Sequence, residues 1–208
     1  MAETPERMLK LGTSTLYEAG RPLDAVRAMS PTLRPVWSGA TLCGPAVPVT
    51  CGSGDNLAVH RAIERSPAGS VLAVNGGGAL VGYWGEVLTA AAQYQGITGV
   101  IIDGGARDVD ALRERGFPVF SRGVGMPGAY KRESGSVGLT TDVGGVPVSP
   151  GDFVVADADG VLVIAREHVE QVLLDAEERA AHETELMTRI QNGERTIDLF
   201  GLRCPTVP

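Results

Sequence analysis

The strongest constraint on the fold is a repeated alternation of short apolar segments, glycine-rich loops and helical segments between residues 56 and 121. The apolar runs at residues 70–75, 99–103 and 117–121 have the length and composition of buried strands. The repeated order of strand, loop and helix predicts an α/β domain with a largely parallel sheet. The segments with helical spacing of apolar residues are 56–65, 86–94 and 107–115.

Downstream of residue 121 the pattern changes. Residues 135–147 are rich in Gly, Val and Thr, and residues 151–165 predict a hairpin that turns at 157–160. From residue 167 to 192 charged residues alternate with apolar ones at helical spacing, and Gly193 is suited to end a helix. Because little of the chain remains for this long helix to pack on, we expect it to contact another subunit.

Composition limits the classes of function. The chain has 208 residues, 43% of them hydrophobic, which is enough to fill the core of one domain. We expect a single domain over residues 1–208, with its core at about 12–165. The 18 basic and 25 acidic residues give a net charge of −7, and without a basic run we expect no nucleic-acid partner. The chain has no apolar run of about 18 residues, which predicts no membrane span. An N-terminal segment of mixed charge and three cysteines without CxxC spacing, Cys43, Cys51 and Cys204, lead us to expect a reducing, cytoplasmic location.

The segment 99–108, Gly-Val-Ile-Ile-Asp-Gly-Gly-Ala-Arg-Asp, carries the strongest chemical signal. A buried strand leads to a Gly-Gly loop, and Arg107 and Asp108 follow where the next helix is expected to start. An arginine there can bind a carboxylate through two nitrogens, and an adjacent aspartate is a hard oxygen ligand for Mg²⁺. This pair suits an α-keto acid, whose carboxylate and keto oxygen lie side by side. The alternative is that Asp108 only caps the helix and Arg107 is a surface residue.

A second helix start lies at Gly85, Glu86, Val87 and Leu88. The free backbone amides of such a first turn can bind an anion, and Glu86 adds an acid at the same level. Twenty residues separate Glu86 from Arg107, so one helix and one strand lie between them. Parallel βα units would place both at the carboxyl edge of the sheet, where α/β proteins bind ligands. The alternative role for Glu86 is to interact with the helix dipole.

Other chemistries find less support in the sequence. Gly76, Gly78 and Gly82 do not form the G-x-G-x-x-G pattern, because Val81 stands where the third glycine is required. The three histidines lack a metal-binding spacing, and His60 is interpreted as a packed or surface residue. The only lysines are Lys10 and Lys131, neither of which is expected at this edge of the sheet. This distribution favours a metal-dependent mechanism over a Schiff base.

Several separate segments form a combination that is more specific than any one of them. They are residues 44–47 (Gly-Pro-Ala-Val), 54–62 (Gly-Asp-Asn-Leu-Ala-Val-His-Arg-Ala), 84–86 (Trp-Gly-Glu), 103–108 (Asp-Gly-Gly-Ala-Arg-Asp), 150–152 (Pro-Gly-Asp) and 156–161 (Ala-Asp-Ala-Asp-Gly-Val). Together they resemble the RraA-like family over about residues 12–201. That family includes class II 4-hydroxy-4-methyl-2-oxoglutarate/4-carboxy-4-hydroxy-2-oxoadipate aldolases and the regulator of ribonuclease E activity A.

The resemblance implies a swivelling ββα-type α/β domain, here with a long C-terminal helical extension, assembled as a homotrimer or hexamer with its site at a subunit interface. The aldolases have an acid, twenty further residues and then Arg-Asp, which correspond here to Glu86, Arg107 and Asp108. Aspartate is the more familiar first acid, so Glu86 departs from the pattern. The regulators lack the acid after the arginine, so Asp108 favours the enzyme over a non-catalytic regulator that binds a ribonuclease E-type partner.

The resemblance also implies a mechanism. Mg²⁺ or Mn²⁺ would be held directly by Asp108 and through water by Glu86, while backbone amides at Glu86, Val87 and Leu88 bind the substrate carboxylate. Arg107 would stabilise the keto oxygen as it becomes the pyruvate enolate, in aldol cleavage and in oxaloacetate decarboxylation alike. Two candidates remain for the base that takes the C4 hydroxyl proton. They are a water on the metal, and Glu183 or Glu185 from the C-terminal helix of a neighbouring subunit.

Overall fold

The computed structural model describes residues 4–132 and 135–202. Within those residues twelve strands form a ten-stranded mixed sheet and a separate two-stranded ribbon. The order in the large sheet is β1-β12-β11-β3-β4-β6-β7-β2, with β5 paired to β6 and β8 to β3. The strands are β1 (Val26–Ala28), β2 (Arg34–Pro35), β3 (Leu42–Thr50), β4 (Val71–Asn75), β5 (Gly82–Trp84), β6 (Gly99–Ala106), β7 (Val119–Val124), β8 (Ser136–Val137), β9 (Thr141–Val143), β10 (Val146–Val148), β11 (Phe153–Ala156) and β12 (Val161–Ile164).

Seven α-helices accompany these strands within the described residues. They are α1 (Thr4–Leu11), α2 (Thr13–Gly20), α3 (Leu57–Arg65), α4 (Glu86–Tyr94), α5 (Val109–Glu114), α6 (Val169–Gln191) and α7 (Thr196–Leu199). Short 3₁₀ turns lie at Arg21–Leu23 and Arg166–His168. The mixed α/β architecture with a long C-terminal helix confirms the predicted fold class.

The parallel part of the sheet is formed by β3, β4, β6 and β7, as the alternating pattern predicts. All five residues of β4 pair with β6, from Val71 opposite Gly99 to Asn75 opposite Asp103. The short strand β5 is also parallel to β6, and its last residue, Trp84, is opposite Ala106. Two chain segments therefore leave adjacent parallel strands at the same edge of the sheet, one beginning at Gly85 and the other at Arg107.

Two predicted boundaries in this region are wrong. The strand expected to stop at Asp103 continues through Gly104 and Gly105 to Ala106, because β5 pairs with this extension. A β-carbon on Gly105 would lie 2.6 Å from the Val81 carbonyl oxygen, so glycine allows the close approach. The helix expected from residue 107 begins only at Val109. Helix α4 and the hairpin of β11 and β12 agree with the sequence.

Helix α6 packs on this chain over its first half, contrary to the expectation that it has little to pack on. Val172, Leu173 and Ala176 are buried in one apolar cluster with Met8 of α1 and Leu16 of α2. The second half leaves apolar side chains exposed, among them Met187 and Ile190. None of the helices in residues 4–132 and 135–202 is long and apolar enough to cross a membrane.

Candidate active site

The two predicted helix starts meet at the edge of the sheet. The Arg107 amide donates a hydrogen bond to the Trp84 carbonyl at 2.9 Å, so the residue after β6 is bonded to the last residue of β5. Asp108 then adopts a left-handed backbone conformation with φ of 61° and precedes the first turn of α5. This turn directs the Asp108 carboxylate towards the start of α4.

The Asp108 carboxylate caps a neighbouring helix and leaves its own uncapped. Its Oδ2 accepts a hydrogen bond from the Glu86 amide at 3.0 Å, and no side-chain cap is made to α5. The Arg107 Nε lies 3.8 Å from the same oxygen. The Asp108 side chain keeps 42% of its surface exposed, so an outside group can reach the carboxylate.

The first turn of α4 presents backbone donors next to this carboxylate. The first hydrogen bond of the helix runs from the Thr89 amide to the Gly85 carbonyl at 3.1 Å. The amides of Val87 and Leu88 precede it and therefore have no carbonyl four residues earlier in the helix to bond. With the Glu86 amide bonded to Asp108, Val87 and Leu88 supply the donors left for an anion.

Glycines make room for the charged side chains. A β-carbon on Gly85 would overlap the Asp108 carboxylate oxygen, and one on Gly82 would lie 2.7 Å from the Arg107 Cδ. A β-carbon on Gly128 would lie 3.2 Å from the Arg107 Nη1. Any side chain at Gly82 or Gly85 would displace Arg107 or Asp108.

These groups line one cleft of about 210 Å³. The predicted site residues that line it are Gly85, Val87, Leu88, Arg107 and Asp108. Glu86 is the exception, because its carboxylate is directed to α5, where Arg115 donates to Oε1 from Nε at 3.1 Å and from Nη2 at 2.9 Å. The structure thus brings the predicted anion-binding groups together and does not bring the Glu86 carboxylate among them.

The opposite side of the cleft was not expected from the sequence. It includes Asn56, which directly precedes α3, His60 of α3, and Lys131. The expectation that no lysine lies at this edge is wrong, because the segment before residue 132 folds back over the cleft. The Gly82 amide donates to the Pro127 carbonyl at 2.8 Å, and the Asn56 amide donates to the Tyr130 carbonyl at 2.9 Å.

This side of the cleft carries buried polar atoms without a hydrogen-bond partner among the described residues. They are the Asn56 Oδ1 and the His60 Nε2. Burial, and secondarily the positive charge of Lys131, lowers the pKa of His60, so this ring is neutral at pH 7. Asn56 and His60 lie four residues apart in the predicted helical segment 56–65, and this spacing is the sequence signal that could have placed them together.

The other acid of the motif, Asp103, is part of the architecture. It accepts hydrogen bonds from Arg122 Nε and Nη2 and, at 3.0 Å, from the Gly144 amide. Burial acts to raise its pKa, but these hydrogen bonds outweigh burial and keep the pKa below its usual value. Asp103 therefore links β6 to β7 and to the turn between β9 and β10.

Cysteine chemistry finds no support at the site. Burial, reinforced by the charge of Asp55, raises the pKa of the Cys51 thiol to about 12, and burial raises that of Cys43 to about 12. Neither thiol ionises near neutral pH, so neither suits a nucleophile. Cys204 lies outside the described residues.

Comparison with known proteins identifies the family. The sequence profile of the RraA-like family, described as Aldolase/RraA, matches residues 13–163. The chain belongs to this family, as the motifs predict. A protein of Halalkalibacterium halodurans named "Putative 4-hydroxy-4-methyl-2-oxoglutarate aldolase" is 35% identical over 160 residues, which cover 76% of each chain.

Two solved structures extend the comparison. An uncharacterized protein from Pseudomonas syringae pv. tomato is 27% identical, with a TM-score of 0.82 over 94% of this chain and 95% of that one. The RNA-processing inhibitor RraA from Thermus thermophilis is 29% identical, with a TM-score of 0.65 over 72% of this chain and 91% of that one. The family thus contains proteins named as aldolases and proteins named as inhibitors.

Proposed function

We propose that this protein is a divalent-metal-dependent class II aldolase that cleaves 4-hydroxy-4-methyl-2-oxoglutarate-type substrates and releases pyruvate. The same pyruvate enolate would arise by loss of CO₂ from oxaloacetate, so we also propose oxaloacetate decarboxylase activity. Family membership and the name of the H. halodurans relative support an aldolase. The observation that carries the proposal is the convergence of Arg107, Asp108 and the first turn of α4 on one cleft.

The charges in the cleft suit a dianionic oxo acid. Among the described residues that line the cleft, Arg107 and Lys131 face one acid, Asp108, in a chain whose net charge is −7. Local positive potential against an acidic background favours entry of a small anion over other solutes. The cleft volume of about 210 Å³ is suited to a small oxo acid.

The residues present fit a hydrated Mg²⁺ or Mn²⁺ better than a metal in a protein cage. Within residues 4–132 and 135–202 there is no cluster of three or more His, Cys, Asp or Glu side chains that could enclose a metal. Mg²⁺ is commonly held by one or two carboxylates, with the remaining positions taken by water and substrate oxygens. Asp108 would supply the direct carboxylate, and Glu86 would add a contact through water once its carboxylate leaves Arg115. When bound, the metal would act as a Lewis acid on the substrate's keto group.

The protein groups would then bind and polarise the substrate. The amides of Val87 and Leu88 would bind the carboxylate of the pyruvate half, where the helix dipole favours negative charge. The guanidinium of Arg107 would donate to the keto oxygen, and this contact strengthens as the oxygen takes up the enolate charge. Cleavage of the bond between C3 and C4 leaves its electron pair on the pyruvate half, and the C4 hydroxyl becomes a carbonyl as it loses its proton.

The C4 hydroxyl proton must leave during cleavage, and its acceptor is not among the groups assigned above. The two candidates from the sequence remain a water on the metal and an acid from a neighbouring α6. In this chain Glu183 forms an ion pair with Arg179 at 2.9 Å, and Glu185 is exposed to solvent.

We also propose that the active protein is a homotrimer or hexamer. Apolar side chains beside the cleft are exposed in the single chain, with 82% of Val87 and 85% of Met126 accessible. Exposed apolar residues on α6 add a second such region. Light scattering after size exclusion would test this, and a monomer at micromolar concentration would contradict it.

The proposed activity is tested by coupling pyruvate release to lactate dehydrogenase. Oxaloacetate and 4-hydroxy-4-methyl-2-oxoglutarate would each be assayed with Mg²⁺ or Mn²⁺ and again with excess EDTA, after subtraction of the rate with metal alone. We expect EDTA-sensitive release from both. No release above background would favour the alternative, a regulator that binds a ribonuclease E-type partner.

A further inference from the structure

Helix α5 contacts Glu86 from both of its ends. At its start, the Asp108 carboxylate accepts the Glu86 amide at 3.0 Å. At its end, Arg115 donates two hydrogen bonds to a single Glu86 oxygen. The backbone of Glu86 is thus bonded to the proposed metal ligand, while its side chain is bonded to an arginine outside the cleft.

The position of Arg115 is fixed independently of Glu86. Its amide bonds to the Ala111 carbonyl at 3.0 Å, and its carbonyl accepts a hydrogen bond from Gln93 Nε2 at 3.0 Å. The guanidinium is therefore presented to Glu86 from a backbone that is bonded to both α4 and α5. The ion pair itself is partly exposed, with 37% of the Arg115 side chain and 48% of the Glu86 side chain accessible.

We infer that Arg115 is a positioning residue that holds the Glu86 carboxylate away from the cleft and so weakens binding of the divalent cation. This inference rests on the proposed function, in which Glu86 supports a cation bound by Asp108. A carboxylate cannot accept both Arg115 hydrogen bonds and turn towards the cleft, so the two positions compete. Exposed ion pairs typically change an equilibrium constant by a factor of about 1.5 to 5, so the competition is modest and reversible.

The length of the Glu86 side chain gives this competition its structural basis. Its carboxylate reaches Arg115 at the far end of α5. The Arg115 contact accounts for the placement of this carboxylate outside the set of groups that line the cleft.

The test measures Mn²⁺ affinity of the substrate-free protein, by the EPR signal of free Mn²⁺. Arg115→Gln should bind Mn²⁺ about two- to fivefold more tightly than the wild type. In the variant, metal binding no longer has to break the exposed ion pair between Arg115 and Glu86. Arg113→Gln is the matched control, because Arg113 lies on the same helix and pairs with Asp110 at 2.9 Å. Its Mn²⁺ affinity should equal that of the wild type.

A double-mutant cycle separates the contact from general charge effects. In the Glu86→Gln background, Arg115→Gln should leave the affinity unchanged. The inference is overturned if Arg115→Gln tightens binding equally in both backgrounds, if Arg113→Gln has the same effect, or if Arg115→Gln has none. Arg115→Lys keeps the positive charge but lacks the planar guanidinium that donates two hydrogen bonds to Glu86. Its Mn²⁺ affinity should lie between those of the wild type and Arg115→Gln. This variant keeps the inference testable if Arg115→Gln folds poorly.

Failure of the proposed function gives a different result. If the wild type and Asp108→Asn bind Mn²⁺ equally, Asp108 is not the metal ligand, and the proposed role of Arg115 is then overturned as well. If binding depends on Asp108 while Arg115→Gln behaves as the wild type, only the role of Arg115 is overturned.

Discussion

Asp103 and Asp108 belong to one six-residue segment, yet they lie in opposite environments. Asp103 lies within β6 with 9% of its side chain exposed, and Arg122 and the Gly144 amide bind its carboxylate. Asp108 follows the strand with 42% of its side chain exposed, and its carboxylate accepts the Glu86 amide and lies 3.8 Å from the Arg107 Nε. Protein groups around β6 therefore supply the hydrogen bonds of Asp103, whereas the left-handed turn leaves the Asp108 carboxylate accessible to solvent.

The difference shows what each acid can contribute. A carboxylate with several fixed donors and a lowered pKa stabilises the fold and has little capacity left for a ligand. A half-exposed carboxylate beside an arginine and free amides contributes little to stability but can bind a substrate or metal. The substitutions below test this division, from the largest expected effect to the smallest.

Asp108→Asn should produce the largest loss of activity. Asparagine tolerates the left-handed conformation and can still accept the Glu86 amide, so the substitution removes the charge and keeps the local geometry. We expect pyruvate release to fall by on the order of 10²-fold or more, because a charge at the reacting centre is lost. The thermal midpoint should change little. Near-normal turnover by a well-folded variant would assign the metal and the chemistry to another group.

Asp103→Asn should act on stability. Removing one partner of a buried ion pair commonly costs about 3–5 kcal/mol, and because Arg122 is partly exposed we expect about 1–3 kcal/mol here. Urea denaturation at pH 7 measures the loss. The folded variant should keep most of its turnover, and a selective loss of activity without a loss of stability would break the comparison.

The ion pair between Asp103 and Arg122 also predicts how the free energy of unfolding depends on pH. The folded-state pKa of Asp103 is lowered, so its contribution is complete above the unfolded value of about 3.9 and is lost as the pH falls through the folded-state pKa. The difference in unfolding free energy between the wild type and Asp103→Asn should therefore be constant from pH 7 to pH 5 and shrink below about pH 4. A difference that grows on acidification would contradict this assignment.

Lys131→Gln tests whether Asp108 or the cleft lysine is the centre of the chemistry. If Lys131 only attracts the substrate, we expect KM to rise about two- to tenfold with little change in kcat. Treatment of the wild type with pyruvate and sodium borohydride should then give no covalent adduct by intact mass spectrometry. A trapped adduct that disappears in Lys131→Gln would establish a Schiff base and displace Asp108 from its assigned role.

His60→Gln should have the smallest effect. The pKa of His60 is lowered in the folded state, so the unfolded chain takes up a proton more readily, and stability is full above about pH 6.5 and declines as the pH falls. The variant should lose this part of the decline between pH 6.5 and 5, with a change in thermal midpoint of about 1 °C or less. Identical pH profiles for the two proteins would contradict the lowered pKa of His60.

Local patterns predicted much of this arrangement. The bounds of α4, the hairpin of β11 and β12 and the shared edge of Gly85 and Arg107 follow from periodicity and from the geometry of parallel strands. The direction of the Glu86 side chain does not, because it depends on Arg115, twenty-nine residues further along the chain. The sequence also does not show which helix an acid caps: Asp108 precedes α5, but its carboxylate caps α4.

The side of the cleft that carries Lys131 was not predicted from the sequence. Lys131 reaches it because backbone groups of Gly82, Asn56 and Gly54 bond to the segment around Pro127 and Tyr130, and the Asp55 carboxylate accepts the Arg132 amide. Backbone hydrogen bonds of this kind leave no mark on side-chain composition, so no motif could reveal them. Periodicity predicts elements, while the return of a distant loop is decided by the assembled fold.

The backbone bonds between Tyr130 and residues 54 and 56 also set the order in which the cleft can form. They join parts of the chain more than seventy residues apart, and closing so long a segment carries an entropic cost. During synthesis, a chain that has emerged only as far as residue 126 carries Arg107 and Asp108 but lacks the wall bearing Lys131. The wall that bears Lys131 is thus synthesised after all four parallel strands, so the cleft can be completed only once those strands are already in the chain.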